Sequence, residues 1–338
     1  MIKSRYKNHY TEIDGIRGLC AMLLLLHHYT KYIYDKNQEQ DLYYHIMDYG
    51  RYGVHFFFVI SGFLIFMTLE KARHPKDFII SRFSRLYPGY WVCILLTTAV
   101  SFSPYFPFHT ITLNQFLANL TMFQHWMFIE DIDGVYWTLA VELCFYVMIF
   151  LVFIARQQKN IERIGIVWMA IMLLNYYGAV YLSPNNTINI NYYLPLLKNG
   201  TLFFGGILFY QLKNGPAQKR KYVLLLLTLL VHLIINSIEE TMVILLVYFI
   251  LYLFVTDKLQ IMRGKVFYYI GIISYSLYLL HQYIGYVIIN FLNYHGITNT
   301  ALEIIITGIL LLILSLTVAF GIERPVMRFL RNRFLQKN

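Results

Sequence analysis

Charge is scarce in this chain. Of its 338 residues only 14% are Asp, Glu, Lys or Arg, while 58% are hydrophobic. A soluble domain carries about a quarter charged residues and a disordered tail carries more, so both are excluded and a polytopic membrane protein is expected. Cysteine is almost missing. Cys20, Cys93 and Cys144 each lie inside an apolar run, which gives neither a disulfide framework nor cysteine–histidine metal spacing, and no metal is expected. No internal repeat, Walker-type phosphate loop or GxGxxG fingerprint occurs. No polar stretch is long enough to build a second core, so one membrane-embedded domain over 1–338, with no separate soluble domain, is the expected organisation. The basic start MIKSRYKNHYTEID leads into an apolar run with no small-residue cleavage site, and that run is expected to remain as a span.

Apolar stretches close to the roughly 20 residues a span needs fall near 15–34, 51–70, 88–106, 136–155, 163–182, 195–212, 221–237, 241–256, 267–291 and 301–321. With the N-terminus in the cytoplasm, every Lys and Arg of the 28 falls on the inner side except Lys31, Lys36, Arg51 and Lys198. The positive-inside rule demands such an asymmetry. The expected fold class is therefore an all-α polytopic membrane protein of about ten transmembrane helices with both termini cytoplasmic. The net charge of +10 is then an orientation signal, and no nucleic-acid partner is expected. Residues 105–135 form the longest outer loop, acidic at Glu130, Asp131 and Asp133 and free of Lys and Arg; loop 183–194 is polar and turn-forming. Most of the 30 tyrosines and 26 phenylalanines read as packing and interface belts.

Against that background the polar groups inside the spans stand out. Residues 12–30, EIDGIRGLCAMLLLLHHYT, carry Asp14, Arg17, His27 and His28. On a helix, Arg17 and His28 share a face about three turns apart, with His28 roughly 16 Å deeper, while His27 points about 100° away. Ionisable groups in a span are costly and are by default functional. An arginine at one surface aligned with a histidine inside suggests a site that grips an anion and does chemistry at its far end; the bland alternative is a snorkelling arginine and a structural histidine. Arg82 and Arg85, at i and i+3, project from one side ahead of Pro88; alone they read as ordinary positive-inside flanking, but with Arg17 they suit a phosphate or pyrophosphate held by forked hydrogen bonds. Ser61, before Gly62, reads either as a site residue or as a small-residue packing contact. Glu142 lies roughly 9 Å below the outer surface, at a depth similar to His28 and His281, so the three are expected to meet in one cavity where the carboxylate raises imidazole basicity. Glu323, beside Arg324, is expected to clamp Arg17 or the Arg82/Arg85 pair, or to shape the anion site.

Six blocks in order resemble the integral-membrane acyltransferase family 3: DGIRGLCAMLLLLHH (14–28), GVHFFFVISGFLI (53–65), FIISRFSRLYPGYW (78–91), WTLAVELCFY (137–146), ISYSLYLLH (273–281) and IERP (322–325). The family's arginine–ten residues–histidine motif falls on Arg17 and His28, and its Arg-x-x-Arg motif on Arg82 and Arg85. The departure is His55, where family members often carry Asp. The resemblance implies acylation of surface polysaccharides, O-antigens and related glycans, with acyl-CoA, acetyl-CoA first of all, as donor substrate. It implies His28 as catalytic residue, either base or acyl carrier, with Glu142 orienting it, and Arg17, Arg82 and Arg85 as donor-binding residues. Asp14, Ser61, His281 and Glu323 are supporting candidates. It further implies a glycan or lipid-linked oligosaccharide acceptor, contact with membrane lipid, and a multi-pass place in a bacterial cytoplasmic (inner) membrane. Longer relatives add a soluble hydrolase-like domain; thirteen residues follow Pro325 here, so transfer is expected to be completed by the membrane domain or a separate partner. The rival readings are a transporter, which predicts an internal repeat, and a non-catalytic subunit of a polysaccharide assembly system.

Overall fold

The structure, a computed structural model, describes residues 10–37, 42–182 and 190–335. The basic residues Lys3, Arg5, Lys7 and Lys337, and most of the polar loop 183–194, lie outside the described residues. Among the described residues there is no strand. In chain order the helices are α1 (Thr11–Asn37), α2 (Leu42–Asp48), α3 (Gly53–Lys71), α4 (Pro75–Val100), α5 (Leu113–Asn119), α6 (Trp137–Ile154), α7 (Ile161–Tyr177) and α8 (Ile190–Tyr193). They continue with α9 (Leu196–Asn214), α10 (Lys219–Ile235), α11 (Ile238–Val255), α12 (Lys265–Leu280), α13 (Tyr283–Tyr294), α14 (Thr300–Val318) and α15 (Arg324–Phe334).

Most of each of the ten apolar segments lies on helix, but among the described residues five helical stretches are long and apolar enough to cross a membrane: Tyr44–Lys71, Gly134–Ile154, Gln158–Tyr181, Ile238–Val255 and Thr300–Phe334. The bent pair α12 and α13 makes a sixth. Polar side chains dilute the others. Helix α1 carries Glu12, Asp14, Arg17, His27 and His28, and α4 carries Lys76, Asp77, Arg82 and Arg85. A helix that faces a polar interior needs no continuous apolar surface, and these two supply most of the polar groups described below. Large side chains such as Leu151, Leu174, Ile305 and Ile313 stay more than half exposed around the outside of the bundle, where lipid replaces water as the neighbour.

Small residues set the packing. Lipid and core are equally apolar, so membrane helices associate by close backbone approach. A Cβ on Gly62 of α3 would come within 2.1 Å of the Phe203 carbonyl oxygen on α9, and one on Gly206 within 1.9 Å of the Val59 oxygen. On the other side of α1, a Cβ on Gly271 of α12 would meet Asp14 at 2.4 Å. The packing contact expected at Ser61-Gly62 therefore belongs to Gly62, and Ser61 turns the other way.

Helix α12 ends at Leu280 and α13 starts at Tyr283, bent by 74° across His281 and Gln282. A break leaves backbone groups without helical partners, which inside a bilayer is tolerated only when other groups satisfy them. Tyr29 Oη donates to the His281 carbonyl at 2.9 Å, and the Tyr283 N–H donates to Asp133 Oδ2 at 3.0 Å. Asp133 Oδ1 also accepts from Val135 N–H at 3.2 Å, so one buried carboxyl ties the start of α13 to the turn leading into α6. At the far end of α14, a π-helical turn over Ala319–Glu323 adds a residue before α15.

Two outcomes follow. Gly206→Ala forces α3 and α9 apart and is expected to cost about 1–3 kcal/mol, seen as a lower melting temperature in detergent. Gly321→Ala, with nothing within 4 Å of its Cβ, is expected to leave it unchanged. Burial pushes the Asp133 carboxyl up to about 7, against the two N–H donors that favour its anion, while an unfolded Asp titrates near ~3.9. The folded state thus binds the proton more tightly. Its contribution is complete below about pH 4 and is lost as pH rises through about 7. Melting temperatures at pH 5 and pH 8 should differ less in Asp133→Asn than in the parent chain.

Candidate active site

Five of the residues singled out in the sequence converge on one narrow chamber of about 70 Å³: Arg17 from α1, Ser61 from α3, Arg82 and Arg85 from α4, and Glu142 from α6. Tyr146, Tyr275 and Tyr278 complete its polar wall, and Val54, Phe57, Leu64 and Leu139 its apolar one. A wider chamber of about 330 Å³ shares Arg17, Leu64, Arg82 and Arg85 with the first, and is bounded further by Asp14, Thr68, Arg324 and Arg331. The three guanidiniums thus stand at the junction of a narrow inner space and an arginine-rich vestibule.

Each guanidinium is held differently. Arg85 Nη1 donates to Glu323 Oε1 at 2.6 Å, and Ser276 Oγ donates to the other oxygen of that carboxylate at 2.7 Å. The expected clamp by Glu323 therefore closes on Arg85. Arg17 Nη1 lies 3.9 Å from Asp14 Oδ1, one turn back on its own helix. Arg82 donates through Nη2 to Thr68 Oγ1 and lies over the Tyr146 ring, 5.7 Å from its centroid. Its Nε is buried without a hydrogen-bond partner, a donor a ligand oxygen can fill. Arg331 is steered to the vestibule by bonds to Ser84 Oγ at 3.1 Å and to the Ser81 carbonyl at 3.2 Å.

Glu142 accepts from Ser61 Oγ at 3.1 Å and from Tyr146 Oη at 2.8 Å on the same oxygen, Oε1. It shares its chamber with guanidiniums, whereas His28 lines neither chamber. The two histidines do meet: the His28 ring is 5.1 Å from that of His281, and Tyr286 Oη stands 3.4 Å from His28 Nδ1. His281 is fully buried at the α12–α13 break. Its Nδ1 lies 2.6 Å from the Tyr278 carbonyl, which only accepts, so Nδ1 carries the proton and Nε2 presents a lone pair with no protein partner. Tyr278 touches both groups: it lines the inner chamber, and its ring is 5.6 Å from His281. The expected cluster of Glu142, His28 and His281 is thus divided into an anion chamber and a histidine pair, joined through Tyr278. His27 faces elsewhere, with Nδ1 3.5 Å from Asp48 Oδ1, and His55 faces Glu240 at 3.8 Å.

Tyr146, Tyr278, Tyr286, Thr68 and Arg331 were not singled out in the sequence. Tyr146 follows Glu142 by four residues and Arg331 follows Arg324 by seven, spacings that put each pair on one helix face. Nothing marks Tyr278 and Tyr286 among the other tyrosines except their distance from His281 along the chain.

A family model described as an acyltransferase domain matches residues 10–324. A protein of Acidianus two-tailed virus, provisionally named an acetyltransferase, is 23% identical over 342 residues, covering 95% of this chain and 92% of its own length. A Staphylococcus aureus (strain COL) protein, provisionally named an O-acetyltransferase, is 25% identical over 313 residues, 80% of this chain. The match takes in 49% of that protein, so the chain spans about half its length. The exopolysaccharide production protein ExoZ of Rhizobium meliloti is 32% identical over 106 residues, 29% of this chain and 32% of its own. No solved structure matches. The family match across residues 10–324 takes in the inner chamber, the vestibule except Met327 and Arg331, and both histidines, and the chain belongs to the integral-membrane acyltransferase family 3 and is an acyltransferase.

Proposed function

We propose that the chain is a membrane O-acyltransferase of ten spans with both termini in the cytoplasm, moving an acyl group, acetyl first of all, from acyl-CoA to a hydroxyl of a cell-surface or lipid-linked glycan. The observation that carries this reading is the placement of Arg17, Arg82 and Arg85 on the walls of both chambers. A coenzyme A donor is a polyanion with a long neutral arm. The vestibule, with Arg324 and Arg331 added, suits its phosphates through charge-assisted hydrogen bonds. The narrow chamber, with Val54, Phe57, Leu64 and Leu139 on its wall, suits the arm. The exopolysaccharide role in the name of ExoZ supports a polysaccharide acceptor.

In this reading the thioester passes Tyr278 and ends beside His28. The acceptor hydroxyl gives its proton to the imidazole as its oxygen bonds to the thioester carbon. The C–S bond then breaks, and the proton leaves with the coenzyme A sulfur. By the covalent route, the imidazole nitrogen first takes the acyl group, releases the thiol, and then yields the group to the hydroxyl. In either route His281, with its tautomer fixed by the Tyr278 carbonyl, positions His28. Glu142 balances the guanidiniums of the anion chamber.

Purified full chain, radiolabelled acetyl-CoA and crude glycan acceptor test this reading. His28→Ala should lose turnover by about 10²–10⁴-fold. Arg82→Ala should raise the donor KM by about 10- to 100-fold, the worth of one hydrogen bond to a charged group, with a smaller change in kcat. Equal label transfer by the parent and both variants would remove the enzymatic assignment as drawn.

A further inference from the structure

Helix α1 does not end at the histidines. Tyr32 lies fifteen residues beyond Arg17, roughly 22 Å along the axis, and opens on a second recess far from the vestibule. This cleft of about 790 Å³ is bounded by Tyr32, Asp35 and Lys36 of α1, by Tyr105 and Phe106 after α4, and by Asn290 and Tyr294 of α13. Its polar groups are fixed. Asn290 Oδ1 accepts from Tyr32 Oη and from Lys36 Nζ, both at 3.0 Å, and Asn290 Nδ2 donates to the Tyr105 carbonyl at 2.9 Å. One amide thus ties three parts of the chain into the floor of the recess. Around it stand packed aromatic rings: Tyr105 lies 5.5 Å from Tyr294, tilted by 60°, and 5.3 Å edge-on from Phe291. Tyr294 is 75% exposed, an aromatic face that the fold leaves open.

The cleft is also wired to the histidines. The Tyr32 ring stacks on Tyr286 at 4.0 Å and 11°, and the Tyr286 hydroxyl is the group 3.4 Å from His28 Nδ1. Two stacked rings, Tyr32 in the wall and Tyr286 behind it, therefore separate the cleft from the proposed base.

The lining selects the occupant by chemistry. A lipid tail gains nothing beside Asp35, Lys36 and Asn290, whose desolvation it would have to bear. A phosphate would meet a single cation with an aspartate next to it. A hexose presents apolar C–H faces for aromatic rings and a rim of hydroxyls for amide, ammonium and carboxylate groups, the mixture of flat apolar walls and few placed polar groups that marks a small-ligand cleft. We infer that the cleft between the end of α1, α13 and residues 104–106 is the acceptor-binding site, holding a neutral hexose unit of the glycan with Tyr32, Tyr105 and Tyr294 as its aromatic walls and Asn290 as its orienting amide. This rests on the acyltransferase reading for its role, but the binding itself is testable without turnover.

The test uses the full chain in detergent with methyl glucoside, methyl galactoside and methyl rhamnoside as probes, read by saturation-transfer NMR. The parent should transfer saturation to at least one of them; Tyr294→Ala and Asn290→Ala should abolish it, while Tyr32→Phe, which keeps the ring, should retain it in part. Thermal stabilisation by coenzyme A should be unchanged in all three variants, which shows that each still folds. In the transfer assay, Tyr294→Ala should raise the glycan KM about tenfold, equivalent to ~1.4 kcal/mol, and leave the donor KM alone. No saturation of any of the three in the parent, equal saturation in parent and Tyr294→Ala, or displacement of the hexoside by dihexanoyl phosphatidylglycerol would overturn the site. Hexoside binding without any acyl transfer would sustain the cleft and overturn the enzymatic reading instead.

Discussion

A guanidinium set inside an apolar bundle is steadied by a carboxylate beside it, and for Arg85 that carboxylate is Glu323. It is fully buried, holds Arg85 through one oxygen and receives Ser276 on the other. Through it α4, α12 and the turn before α15 are locked into one arrangement. A buried ion stripped of its partner costs about 3–5 kcal/mol, so the position of Arg85 is as fixed as any core contact. Arg17 and Arg82 are held more loosely, by a carboxylate 3.9 Å away and by a hydroxyl. The looser pair retains the capacity to meet an incoming anion; the tighter one defines where that meeting happens.

The arginines were legible in the sequence because a charge in an apolar run has few structural excuses. Arg17 was found that way, Arg82 and Arg85 by their i, i+3 spacing ahead of Pro88, and all three line common chambers. The division of Ser61-Gly62 was less legible, since both residues are small; only the backbone of α9 decides that Gly62 packs and Ser61 bonds Glu142. Depth along the span placed His28, His281 and Glu142 at one level, but depth says nothing about azimuth. The rotation of α6 gives Glu142 to the arginines and leaves the histidines to each other. The bend at His281 was hidden altogether. The sequence there, LLHQYIGY, carries no proline, and the break depends on Tyr29 and Asp133, which are distant in the chain.

Hydropathy divides the helices of this bundle for a related reason. Long apolar helices, such as α11 and α14, hold the outside, and the helices that fall short, α1 and α4, hold the polar interior. A single helix, α1, runs from Asp14 and Arg17 at the vestibule, past His28, to Tyr32 and Lys36 at the aromatic cleft. Through Gly271 it packs closely against α12, the first member of the helix pair that bends by 74°.

The π-helical turn over Ala319–Glu323 has a consequence for how this chain can vary. Each residue along a helix advances its side chain by about 100°. The π-turn absorbs one residue more than an α-helix of the same rise would hold, so deleting one residue within it would close the segment to plain α-helix and leave Arg324 and Arg331 near their present phase. The turn is thus a place where α14 and α15 can trade one residue while the arginines beyond it keep their side of the helix.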